Sequence, residues 1–123
     1  MRYGVYMVRL DGKSEDMFKL FPGYVSMTKE EAETRAAALE KERVAGSLRK
    51  WSGKPDVPYI ISAMPYRVFR IRYVKDDVEQ TLFTTPAPTD DAALSRFFYI
   101  HQPQQILSET EVEPEVYEHG SYL

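Results

Sequence analysis

Apolar positions along this chain fall into short alternating runs, broken by turn residues and interleaved with two stretches of helical spacing. Arg2 to Leu10 alternates Tyr, Val and Met with little polar interruption and predicts a strand. Asp11-Gly12 predicts a turn, because Gly accepts positive φ and Asp bonds its own backbone. Met17 to Phe21 predicts the returning strand, with Tyr24-Val25 continuing it at an edge beyond Pro22-Gly23. Thr28 and Glu31 then form a Thr-x-x-Glu capping box at the head of a helix. Ala32, Ala36 and Leu39 fall on one face of that helix, and Gly46 ends it. Tyr59 to Met64 predicts a third strand, closed by Pro65.

The pattern then begins again. Tyr66 to Val74 predicts a strand, Asp76-Asp77 a hairpin turn and Val78 to Thr84 its return. Thr89 caps a second helix whose apolar stripe is Ala93, Leu94, Phe97 and Phe98. His101 is expected to end it, placing a cation at the negative end of the helix dipole. Gln105 to Val112 predicts the last strand.

The recurrence extends to residue identity. With Met1 laid on Met64, Tyr3 falls on Tyr66, Val5 on Val68, Tyr6 on Phe69, Val8 on Ile71 and Arg9 on Arg72. Thr28 to Ala32 parallels Thr89 to Ala93, and Ile60 to Ser62 parallels Ile106 to Ser108. Matches in the same order predict a tandem duplication of a strand–strand–helix–strand unit, and two copies exclude a long solenoid. The expected fold class is α+β: a mostly antiparallel sheet of about six strands with two helices on one face. A single domain would span residues 1–112, with halves 1–63 and 64–112, and residues 113–123 would form an acidic C-terminal tail.

Composition narrows the classes of function. The chain has 123 residues, 43% hydrophobic, which is material for a core and argues against wholesale disorder. A formal net charge of -3 is opposite to that of a protein gripping duplex DNA through phosphates. There is no cysteine, so disulfides, thiolate metal sites and cysteine nucleophiles are excluded. The alternating, arginine-bearing amino terminus does not resemble a signal peptide, and no apolar run reaches bilayer-spanning length. The expected location is the cytoplasm.

Periodicity of two sorts the repeated strand into two faces. Tyr6, Val8 and Leu10, matched by Phe69, Ile71 and Tyr73, are uniformly apolar and are expected beneath the helices. Tyr3, Val5, Met7 and Arg9, matched by Tyr66, Val68, Arg70 and Arg72, mix rings with guanidinium groups and are expected to face outward. Tyr, Met and Arg are enriched at protein interfaces. The first functional expectation is therefore a non-catalytic binding protein whose partner is another protein or a second copy of itself. Adaptor, inhibitor and regulatory subunit all fit. Size and composition also match accessory proteins of phages and plasmids, including inhibitors of host defence, by association alone.

A second reading uses the same face for single-stranded nucleic acid, with rings stacking on bases and Arg following phosphates. The loop residues Arg49, Lys50, Trp51 and Lys54 would extend that track or hold an anion; net acidity disfavours it. A third reading places a small ligand or a minor enzyme activity at the seam between the halves. No catalytic residue, metal ligand or cofactor site is singled out. His101 and His119 are the only histidines, no zinc spacing or Gly-rich phosphate loop occurs, and Asp76-Asp77 and Asp90-Asp91 fit a turn and a helix start.

Overall fold

Each half of the chain is built from alternating apolar strands around one capped helix. The computed structural model describes residues 1–11, 17–21, 28–46 and 58–114. Within them the order is β1 (Tyr3–Arg9), β2 (Phe18–Leu20), α1 (Lys29–Val44), β3 (Tyr59–Pro65), β4 (Val68–Lys75), β5 (Val78–Phe83), α2 (Asp90–His101) and β6 (Gln105–Val112). This is an α+β fold of six antiparallel strands and two helices.

The local signals act as their chemistry dictates. Thr28 Oγ1 accepts the Glu31 N–H at 3.2 Å, and Thr89 Oγ1 accepts the Ala92 N–H at 3.1 Å. Acidic residues fill the first turn of each helix, where the dipole favours them. Gly46 follows α1 with φ 80°, a left-handed conformation that costs glycine little. Asp76 and Asp77, at φ 53° and 62°, make the two-residue turn that joins β4 to β5. Positive φ at both positions matches the right-handed twist of a hairpin.

The strands divide into two sheets of three, ordered β2-β1-β3 and β5-β4-β6. The expected single sheet is thus interrupted between β3 and β4, where only Tyr66 and Arg67 intervene and Pro65 has no N–H to extend a ladder. In each sheet the first strand of its half lies at the centre, flanked by the second and third, with the helix inserted between those two in sequence. The halves therefore share a topology.

They differ in which face the helix covers. α1 packs Ala32, Ala36 and Leu39 against Val5, Met7, Tyr59 and Ile61, with Tyr3, Phe21 and Ala63 at the margin. α2 packs Ala93 and Phe97 against Phe69, Ile71 and Tyr73, with Leu82, Leu94 and Ile106 beside them. The expected assignment holds in the second half and is reversed in the first: Val5 and Met7 lie beneath α1, and Tyr6 and Val8 lie on the far side. Residues matched at a spacing of 63 thus point to opposite sides of their sheets relative to the helix. A one-residue slip flips every side chain of a strand, so the identity match and the structural equivalence run one residue out of step.

Tyr6 is fully buried although it faces away from α1. Its hydroxyl donates to the Pro65 carbonyl at 2.9 Å, and its ring meets Phe18 edge-on at 6.5 Å. Burial, reinforced by neighbouring Tyr66, pushes the Tyr6 hydroxyl well above the ordinary tyrosine range. In α2 the expected stripe is narrower than its sequence suggests. Phe97 is buried, but Phe98 is 46% exposed and joins Tyr99 and Ile100 on the outside. His101 packs against the Phe97 ring at 4.5 Å. Burial, then the Lys75 charge, lowers its pKa, which works against the positive charge that the helix end favours.

Candidate functional site

The face of β4 turned away from α2 carries Val68, Arg70, Arg72 and Val74. Register brings partners to it from both sides. Phe83 and Thr110 stand opposite Arg70, and Thr81 and Ser108 stand opposite Arg72. Residues directly opposite in an antiparallel pair share a face. The result is a strip in which two guanidinium groups are bordered by three hydroxyl side chains and one ring.

The two arginines are held differently. Arg72 is half-exposed and bonded to Glu79, its Nε donating to Oε1 at 3.0 Å. Glu79 lies diagonally across the hairpin on the same face, since its register partner is Val74. Arg70 is exposed, and no described carboxylate pairs with it. The other arginine of this strand region, Arg67, belongs to the opposite face. It grips Glu111 with two hydrogen bonds of 3.1 and 2.8 Å and stacks over the Phe69 ring. That bond holds the Glu111 carboxyl below its ordinary range. Glu109, by contrast, is pushed up by burial and by Asp90 and Asp91.

Of the eight residues expected to form one outward surface, only Arg70 and Arg72 face solvent. Val5 and Met7 are in the core beneath α1, and Tyr3 packs against that core. Arg9 is 8% exposed and ion-paired with Asp11 at 2.5 Å. Tyr66 and Val68 are 3% and 0% exposed, so the strip is covered at that end and open from Arg70 onward. An arginine can be buried when its stem packs and its head is paired. Arg9 therefore did not mark the outward side of β1. The loop residues Arg49, Lys50, Trp51 and Lys54 lie outside the described residues, as do residues 115–123 of the tail.

Sequence reasoning missed Thr81, Phe83, Ser108 and Thr110. The first two were within reach, because a two-residue turn at Asp76-Asp77 pairs Lys75 with Val78 and so fixes Arg72 opposite Thr81. The last two were not, because the β4–β6 register shifts at a bulge between Arg72 and Tyr73. No residue spacing announces that bulge.

Among the described residues no group of three or more His, Asp or Glu side chains is arranged to hold a metal. No helix among them is long and apolar enough to cross a membrane. Comparison with protein-family models, with curated proteins and with solved structures finds no match.

Proposed function

We propose that this chain acts by binding another protein through the open strip of its second sheet, as an adaptor, inhibitor or regulatory subunit. The observation that carries this reading is the pairing of an exposed Arg70, which has no ion-pair partner among the described residues, with a Glu79-anchored Arg72 on the sheet face turned away from α2. A solvated sheet face is ordinarily Thr, Lys and Glu. Arginine adds a planar fork that pairs carboxylates with two parallel bonds. Arg72 is already oriented by Glu79, so less side-chain freedom is lost when a partner docks. Arg70 supplies the charge that a partner's acidic group would satisfy.

Stacking of single-stranded nucleic acid draws less support. The tyrosines needed as its platform, Tyr3 and Tyr66, are half-buried and buried respectively. Phe83 alone leaves one half-covered ring beside the arginines.

The test is charge reversal of Arg70→Glu with Arg72→Glu in full-length tagged protein. Captured proteins are quantified from the native host against wild type, and oligomeric state is measured by sedimentation. A partner, or a self-association, that is lost in the double variant while circular dichroism is unchanged supports the reading. A wild-type protein that stays monomeric and retains only what the variant retains overturns it.

A further inference from the structure

A second surface, of opposite charge, lies on the first sheet. Among the described residues β3 is an outer strand of that sheet. The Leu10 N–H donates to the Pro58 carbonyl at 3.0 Å and the Tyr66 N–H to the Arg2 carbonyl at 2.9 Å. With the β1–β3 register, these bonds make Gly4–Met64, Tyr6–Ser62 and Val8–Ile60 the hydrogen-bonded pairs. The backbone groups of Ile61 and Ala63 therefore point out of the sheet. The Ile61 N–H does so visibly: it donates to Glu40 Oε2 at 3.0 Å, not to a strand.

α1 runs beside this edge, and an open groove of about 310 Å³ is lined by both of them. Its helix side is Glu33, Ala36, Ala37 and Glu40, and its strand side includes Ile61 and Ala63. The charged groups of the lining are both carboxylates. Glu40 is shared with Arg43. Glu33 is exposed, has no ion pair among the described residues and lies past the first turn of α1, where the dipole no longer favours it. A second copy docking β3 against β3 would set these carboxylates against their own kind. An extended segment bearing Lys or Arg complements them.

We propose that the β3 edge accepts an added strand from a basic partner segment, its backbone pairing with Ile61 and Ala63 and its cationic side chains meeting Glu33 and Glu40 in the groove. The Glu40 carboxylate occupies the place of an incoming carbonyl. In the free protein it shields an edge that would otherwise invite aggregation; on docking it turns to a cationic side chain. This site is separate from the arginine strip and stands without it.

The probe is a phage-displayed library of random linear octapeptides panned against the full chain. The enriched peptide is then synthesised and titrated into labelled protein by NMR. Enrichment of peptides with Lys or Arg at alternate positions is expected, with the largest amide shifts at Ile61 and Ala63. Ala63→Pro deletes one outward N–H without removing a β1–β3 hydrogen bond, because Ala63 and Val5 form a non-hydrogen-bonded pair, and should weaken binding about tenfold. Glu33→Lys, on the exposed helix face, should weaken it several-fold, less so at high salt. The proposal is overturned if no peptide is enriched, if enriched peptides are acidic, or if shifts map elsewhere. Wild-type affinity in a folded Ala63→Pro protein, or in Glu33→Lys if the proline variant does not fold, also overturns it.

Discussion

Truncating Met7 should cost far more than truncating its neighbour Val8, because α1 covers the side of β1 on which Met7 lies. Met7 is 9% exposed and packed in the cluster formed with Ala32, Leu39, Tyr59 and Ile61. Met7→Ala removes Cγ, Sδ and Cε from that cluster. At about 0.8 kcal/mol per buried methylene-sized group the transfer loss is about 2 kcal/mol. The cavity left between helix and sheet raises the total to about 3 kcal/mol, within the range for Met→Ala in cores. Val8 is only partly buried, on the other face, and Val8→Ala should cost about 1 kcal/mol or less. Urea unfolding followed by circular dichroism separates the two. With a slope of about 2 kcal/mol per molar, Met7→Ala moves the midpoint down by about 1.5 M and Val8→Ala by about 0.5 M. Equal losses, or a larger one at Val8, would refute the placement of α1 over the Val5–Met7 side.

Thr28→Ala removes the cap on Glu31 and should lower stability by about 1 kcal/mol, with Thr28→Ser recovering most of it in the same urea assay. Asp76→Gly relieves a positive φ and should raise the melting temperature slightly, about 0.5 kcal/mol of stability; a fall would show that the Asp side chain contributes more than the strain it carries. His101 has a lowered folded-state pKa, so below its ordinary value near 6.5 the unfolded chain takes up the proton first and stability falls with pH. A His101→Gln protein should lose that part of the decline between about pH 7 and pH 5, read by chemical unfolding at several pH values. The Arg67–Glu111 pair is largely solvated, and Arg67→Ala should cost under about 1 kcal/mol, shrinking in 1 M salt.

Helix capping, the Asp76-Asp77 hairpin and the bounds of β6 were legible because each depends on residues close in sequence. What periodicity could not supply was the facing of β1. Tyr3, Val5 and Met7 are apolar, and so are Tyr6 and Val8; when both parity classes are apolar, alternation has no preferred side. Arg9 tipped the reading outward, yet Asp11 neutralises it and its stem is buried. β4 was read correctly because Arg70 and Arg72 are solvated, so its two faces differ in polarity. The division into two sheets, the bulge at Leu107 and the reach of Glu40 to Ile61 depend on contacts between distant segments. The arginine strip was therefore half legible, from β4 and the hairpin, and the groove beside β3 was not legible at all.

Placing the opening strand of each half at the centre of its sheet sets an order of assembly. β4 meets β5 across a two-residue turn, so the second sheet can start on a local hairpin that closes quickly. β1 pairs along its whole length only with β3, on the far side of β2 and α1. During synthesis it leaves the ribosome long before that neighbour exists, with Val5, Tyr6 and Met7 still unsheltered. The late closure of β1 on β3 is where nascent-chain protection by a chaperone would matter most, and where slow refolding should originate.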